Sequence, residues 1–291
     1  MKKINIFCFG FGQVAKNFIE KINLGNFDIK LSTTSREKTS EKKFNNITYT
    51  NYFFDGNQYD HKIIEIIENT DYILVSIPPK NGIDLVLNNF SEIIKKSNFK
   101  WITYLSATSV YGNHNSNWVN EDSTNKPSSN NGIDRLSAEK LWMSLYTDIK
   151  KPVQIFRLSG IYSYKNNILL KLKLGNAKII NKKNHFFSRI HLEDISNILF
   201  KSLSIFKPGE IYNISDDKPA PANEVTLYGV KLLNIEEPKS INLEDIENQM
   251  LKNFYKDSKK VSNKKMKEFF NYSLKFPTYI EGLNYIRNNF F

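Results

Sequence analysis

The sequence predicts an α/β fold: a doubly wound parallel sheet with a small, mainly helical lobe toward the carboxyl end. Three observations predict it. Short apolar runs alternate with amphipathic helical patterns over the first half of the chain, the rhythm of parallel strands joined by helices. The runs at 3–9 and 72–77 are nearly continuous in apolar residues, as strands covered on both faces must be. A Gly-x-Gly pattern follows the first run directly, where a strand turns into a helix.

Strands are expected at residues 3–9, 28–33, 72–77, 100–106 and 153–158. The clearest helix carries Ile83, Val86, Leu87, Phe90, Ile93 and Ile94 at i, i+3, i+4 and i+7 spacing. The stretch "NNGIDRLSAEKLW", Asn130 to Trp142, runs from a polar Asn-Gly turn into a second helix. Ala138, Leu141, Trp142 and Leu145 form its core-facing stripe. Asn131 and Arg135 stand four residues apart at its mouth, neighbours on one side of the first turn. After Tyr162 the rhythm loosens, yet 194–203 reads as a helix and 210–215 as a late strand. The expected division is a sheet domain over 1–163, completed by 186–215, and a small lobe from 164–185 and 216–291.

Composition narrows the function classes. Of 291 residues, 40% are hydrophobic and 24% charged, ordinary values for a globular protein, and no apolar run approaches the ~20 residues of a membrane span. "MKK" leads straight into "INIFCFGFG", and Gly-Phe-Gly before a helical pattern is not a signal-peptide cleavage site. The single cysteine, Cys8, excludes an internal disulfide and falls within the first strand, where a buried, inert thiol is expected. These features point to the cytoplasm. The net charge of +11 is spread along the chain, and its densest run, "KDSKKVSNKKMK", lacks the interleaved aromatics of a nucleic-acid platform. No nucleic acid is expected as a partner. No set of His, Asp and Glu has metal-ligand spacing, so no metal is expected either.

"FGFGQVA" fits a phosphate cradle. Gly10 permits the tight turn, Gly12 lets a pyrophosphate approach the backbone, and Ala15 allows close packing of helix on strand. The helix then opens with Gln13 and Val14, whose free N–H groups and positive dipole end favour an anion. A carboxylate at the end of the second strand would select NAD; Asp28 begins that strand and lies at the wrong end. The other end reads "LSTTSRE", Leu31 to Glu37. Thr33, Thr34 and Ser35 are neutral donors there, and Arg36 can fork onto a phosphate, which favours NADP over NAD.

Several stretches in series resemble the short-chain dehydrogenase/reductase superfamily, in its extended and atypical NAD(P)-dependent epimerase/dehydratase branch. They are "GFGQVA", "LVSIPP" (74–79), "YLSATSVYG" (104–112), "FRLSGIY" (156–162), "SRIHLEDI" (188–195) and "IYNISDDKP" (211–219), in the family's order across most of the chain. The resemblance implies a Rossmann sheet, a small substrate-binding lobe and a substrate cleft between the two. It implies that Ser76, Ile77 and Pro78 line the cofactor at the end of the family's fourth strand. Members often pair through helices, which implies a homodimer, and fold analogy suggests a small-molecule substrate of the nucleotide-sugar kind.

Typical members polarise the substrate oxygen with a Ser or Thr and move the proton with a Tyr. A Lys four residues later holds the nicotinamide ribose. The matching positions here are Ala107, Asn131 and Arg135, so all three are changed. An amide does not exchange protons near neutral pH and arginine does not deprotonate, but Arg135 can still donate to the ribose. Thr108 and Ser109 are adjacent hydroxyls able to replace the missing one. Tyr111 is the nearest phenol, although the tyrosine of "VYG" is commonly structural in the family. Glu121 and Asp122 read as caps before they read as acids. His114 and His191 have counterparts near substrate, and Arg189 with His191 can meet an anionic substrate group. Two functions follow: an NADP-dependent epimerase, dehydratase or oxidoreductase with displaced acid–base groups, or an inactive NADP(H)-binding sensor or scaffold.

Overall fold

The computed structural model describes residues 3–25, 27–247, 252 and 255–291; the start of the "MKK" opening and part of the expected lobe lie outside the described residues. In chain order the strands are β1 (Lys3–Phe9), β2 (Asp28–Ser35), β3 (Ser40–Phe44), β4 (Ile47–Phe53), β5 (Tyr72–Val75), β6 (Trp101–Ala107), β7 (Trp118–Val119) and β8 (Val153–Leu158). They continue as β9 (Gly160–Tyr162), β10 (Ile179–Ile180), β11 (Arg189–His191), β12 (Ile211–Ile214), β13 (Ser240–Ile241) and β14 (Lys260–Val261). One eight-stranded sheet has the order β12-β8-β6-β5-β1-β2-β4-β3. Its β1, β2, β4, β5 and β6 pair in parallel, and β3 adds an antiparallel edge.

All five expected strands are present. β2 runs two residues further than expected, to Ser35, and β5 stops at Val75, freeing Ser76 to Pro79 from the ladder. The β3–β4 hairpin went unrecognised in the sequence. "SEKKF" has no buried residue, so the edge strand lacks the apolar signature of its neighbours, and its charges blunt an exposed edge. Cys8 is fully buried, and that burial pushes its thiol pKa up.

The chain divides into two compact units. The first comprises 1–107, 133–157 and 195–212; the second comprises 108–132, 158–194 and 213–291. This differs from the expected boundary near 163. Of the stretch 186–215, only β12 joins the large sheet, because β11 pairs with β9 in a separate two-stranded ladder.

In the first unit, α1 (Gln13–Leu24), α2 (Lys62–Glu68) and α3 (Leu85–Lys96) follow β1, β4 and β5. Phe9 meets Phe7, Phe54 and Phe90 at ring separations of 4.7, 6.3 and 5.4 Å, an aromatic centre that burial and ring geometry both stabilise. α3 starts later than the apolar spacing suggested. Asp84 caps it, accepting from the backbone N–H groups of Val86 and Leu87 at 3.0 and 2.8 Å, so Ile83 stands outside the helix and is 47% exposed. The second Asp84 oxygen accepts from Trp142 Nε1 at 2.9 Å, tying this cap to α4 (Asn130–Ile149). On α4, Ala138, Trp142 and Leu145 are buried as expected, but Leu141 is 49% exposed. One residue before Trp142, it is rotated about 100° from the stripe centre and falls beyond its edge.

The second unit is built from small pieces: the pairs β9–β11, β10–β13 and β7–β14, with α5 (Ile168–Lys173), α6 (Leu192–Ser202, its first residues), α7 (Ala222–Leu233) and the helices Lys264–Phe270 and Tyr279–Phe290. Tyr162, Leu169, Val225, Tyr279, Leu283 and Ile286 form its main core. Asp194 anchors the carboxyl-terminal stretch by accepting from Tyr272 Oη at 2.7 Å, Lys275 N at 2.7 Å and Phe276 N at 3.0 Å.

The strongest single constraint on α4 is ionic. Glu139 and Arg157 are 2% exposed each, and the guanidinium of β8 grips the helix carboxylate with Nη2 at 2.7 Å and Nε at 3.0 Å. Removing one partner leaves a buried charge. Glu139→Ala should therefore lower stability by about 3–5 kcal/mol in urea unfolding, while the paired replacement Glu139→Met with Arg157→Met should lose far less. Equal losses in the two chains would show that the pair does not hold the helix.

Candidate functional site

The site starts at the turn after β1. Gly10 has φ +84°, and a Cβ there would stand 2.7 Å from Ser76 Oγ and 3.1 Å from Ile77 Cγ1, so both conformation and space demand glycine. Its N–H donates to Thr34 Oγ1 at 3.0 Å, and the Ser76 hydroxyl donates to the carbonyls of Phe9 and Gly10 at 3.0 and 3.1 Å. Phe11, between the glycines, packs against Phe44 and Tyr49 of the β3–β4 hairpin at 5.5 and 5.2 Å. Gly12 is the reverse case. It is exposed, and a Cβ there would meet nothing within 4 Å. α1 begins at Gln13 with no side chain capping it and no acidic residue in its first turn. Its first N–H groups have no side-chain cap and no acidic neighbour, an arrangement that favours an anion. Ala15 is fully buried beneath, as close packing of helix on strand requires.

The adenosine end differs in detail from the expectation. Thr34 is 1% exposed and its oxygen already accepts from Gly10, so it holds the turn rather than reaching a ribose. Thr33 is fully buried and donates to Asn51 Oδ1. Ser35 is half-buried and Arg36 exposed, which leaves these two as the donors at the tip of β2. Arg36 lies near Asp55, whose carboxyl is held below its ordinary range by the N–H groups of Gln58 and Asn57 and, to a lesser degree, by that guanidinium. On the other side Ser76 is spent on the turn, Ile77 is half-buried and Pro78 exposed.

Asn131 is exposed at the start of α4, and Arg135, one turn on, is half-buried. Arg135 Nη1 donates to the Leu105 carbonyl at 2.8 Å, which pins the guanidinium against the end of β6. Tyr104 lies beside it. Burial pushes that phenol's pKa up against the opposing pull of Arg135, so it does not titrate near neutrality.

The second unit holds the remaining expected residues. Tyr111 is fully buried and its hydroxyl donates to Asn213 Oδ1 at 2.7 Å, the structural role expected of a "VYG" tyrosine rather than a proton donor's. Glu121 accepts from Asn213 N at 2.7 Å, and His114 Nε2 lies 3.1 Å from the carbonyls of Tyr111 and Thr124, so both serve the loop. Thr108 is half-buried at the head of a 3-10 turn. Arg189 Nη1 donates to the carbonyls of Phe187 and Ala220, both at 3.0 Å. His191 is 3% exposed, accepts from Glu193 N at Nδ1 and lies 4.1 Å from the Phe276 ring. Burial pushes its pKa down to about 4, so the ring is neutral at pH 7 and carries no charge to an anion. A surface cavity of about 380 Å3 in this unit is lined by Asn120, Glu121, Asp122, Lys264 and Glu268, among others, and includes none of the expected cofactor residues. Among the described residues, no group of three or more His, Cys, Asp and Glu side chains is placed to hold a metal, and no helix is long and apolar enough to cross a membrane.

No family model matches the sequence, and none of the curated proteins matches it. Solved structures do. A conserved protein of unknown function from Silicibacter pomeroyi has a TM-score of 0.86 at 28% identity, over 98% of both chains. The dTDP-glucose 4,6-dehydratase of Bacillus anthracis, in complex with NAD, has a TM-score of 0.79 at 16% identity, over 98% of this chain and 96% of that one. The chain has the fold of the NAD-dependent epimerases and dehydratases. The UDP-glucuronic acid 4-epimerase of Bacillus cereus, also in complex with NAD, repeats it with a TM-score of 0.76 at 16% identity, over 99% of this chain and 98% of that one. The sheet that the sequence predicts and the fold shared with these structures therefore agree.

Two outcomes test this geometry. Gly12→Val fills the open space and should abolish dinucleotide binding in calorimetry, with stability within about 1 kcal/mol of wild type. Unchanged binding would mean that the turn holds no phosphate. The second concerns pH. His185, whose pKa burial also pushes down to about 4, and His191 are ordinary near 6.5 when unfolded. The unfolded chain then binds protons that the folded one refuses, so their stabilisation is complete above about pH 6.5 and is lost as pH falls toward 4. His191→Gln should reduce the stability lost between about pH 7.5 and pH 5 by roughly 2 kcal/mol, as read from urea midpoints.

Proposed function

We propose that the chain is an NADP-dependent enzyme of the epimerase, dehydratase and oxidoreductase class of this fold. Its first unit holds the dinucleotide and its second supplies residues for a small substrate, of the nucleotide-sugar kind that the neighbouring proteins are named for. One observation carries the cofactor half: a glycine turn with an open, uncapped helix start, beside a β2 tip that presents Ser35 and Arg36 and no carboxylate. Gly10, Gly12, Gln13 and Val14 take the pyrophosphate, Ser35 and Arg36 a 2′-phosphate, and Ser76, Ile77 and Pro78 flank the nicotinamide half. When bound, the nicotinamide exchanges hydride with a carbon–oxygen centre. Arg135, pinned by Leu105, directs its remaining donors to the nicotinamide ribose.

The proton is the altered half. Asn131 cannot supply it, Tyr111 is committed to Asn213, and the adjacent Thr108 and Ser109 are left as the hydroxyls able to polarise a substrate oxygen. Arg189 rather than the neutral His191 meets an anionic substrate group. The commitment of Tyr111 and the loss of a tyrosine at 131 also favour a second reading, an NADP(H)-binding sensor or scaffold without turnover.

Mutation separates the two. Arg135→Ala should weaken NADPH binding by about 1–3 kcal/mol, the range for hydrogen bonds to a charged group. Asn131→Ala should leave binding within about threefold, because an exposed neutral amide adds little affinity. Single-turnover hydride transfer over a panel of carbonyl substrates then decides: a rate that survives Asn131→Ala supports the displaced-acid enzyme. A large loss of rate with binding intact would show that α4 still runs the chemistry, and no transfer with any substrate would support the sensor.

A further inference from the structure

Thr33 of β2 faces Asn51 of β4 in parallel register, and Ser35 follows on the same face two residues along. The three side chains form a relay. Thr33 Oγ1 donates to Asn51 Oδ1 at 3.0 Å, and Asn51 Nδ2 donates to Ser35 Oγ at 2.8 Å. The backbone N–H of Glu37 donates to the same serine oxygen at 3.2 Å. Burial sets the direction. Thr33 is fully buried and Asn51 is 3% exposed, so turning the carboxamide round would strand the threonine proton without an acceptor. Ser35 is only half-buried and can send its proton outward.

A serine hydroxyl has one proton and two lone pairs. Both lone pairs of Ser35 are taken, by Asn51 and by Glu37 N, which leaves its O–H as an obligate donor at the tip of β2. Such a donor suits phosphate oxygens, which only accept; a ribose hydroxyl would lose one of its two ways of pairing. We propose that Asn51 is a positioning residue for cofactor choice, fixing Ser35 as a donor to a phosphate on the adenosine ribose. The proposal rests on the NADP reading above and adds the residue that enforces it.

The test is a double-mutant cycle on the full chain, read as the ratio of NADH to NADPH dissociation constants. Thr33→Val with Asn51→Leu removes the relay without stranding a buried polar group or adding charge. It should cut the NADPH preference by about fivefold, the worth of one hydrogen bond. In a Ser35→Ala background the same pair of changes should alter the ratio less than about twofold, because the relay then has nothing to orient. Thr33→Ser keeps the hydroxyl and should keep the wild-type ratio. Should the double replacement not fold, Asn51→Ala serves instead: it removes the N–H donated to Ser35, frees one serine lone pair without adding charge and should cut the NADPH preference by a similar factor. A wild-type ratio in the relay variants, or an equal change with and without Ser35, overturns the proposal. A wild-type protein that binds both cofactors alike overturns the NADP reading itself, a separate and earlier failure.

Discussion

The first unit depends on a knot of hydrogen bonds around Gly10. One glycine in a left-handed conformation accepts, through its carbonyl, from Ser76 after β5 and donates, through its N–H, to Thr34 of β2. The carboxyl ends of three parallel strands are thereby joined at one point. The absence of a Cβ makes the knot possible, since any side chain would stand 2.7 Å from Ser76 Oγ. Its consequence is directional: α1 starts with Gly12 open to solvent and no cap, so its dipole and orphan N–H groups are held ready for an anion. Stability and function meet in the same few atoms.

α4 shows the opposite relation. Its buried side is over-determined by the Glu139–Arg157 pair and by the Trp142–Asp84 bond, while its first turn carries exchanged residues. Holding the helix rigid keeps position 135 at the end of β6 whatever side chain stands there. Arg135 is held there by its own bond to the Leu105 carbonyl, one turn after the exposed Asn131.

Much of this was legible in the sequence, for physical reasons. β1 and β5 are almost continuously apolar, as strands covered on both faces must be, so their runs announced themselves, and the glycine turn was legible because only glycine fits at Gly10. β3 stayed hidden because a charged edge strand has no fully buried residue, and with it went Asn51, whose meaning depends on β4 lying next to β2. Thr34 stands out in the sequence as a hydroxyl, but the Gly10 N–H it accepts from, 24 residues away, does not. Tyr111 read as structural from its "VYG" context, but its partner Asn213, 102 residues away, was not legible. The late strand read at 210–215 joins the large sheet as β12, but only pairing partners could show that β11, earlier in the same stretch, pairs with β9 instead.

The central claim is that the Gly10 knot presents an anion cradle at the start of α1. It is tested most directly by following backbone amide resonances of the wild-type protein during titration with NADPH. The account predicts the largest shifts at Gly12, Gln13 and Val14, with a second set at Ser35 and Arg36, and little change at Asn120 to Ser123 beside the surface cavity. Shifts confined to that cavity, or none at the glycine turn at saturating cofactor, would contradict it.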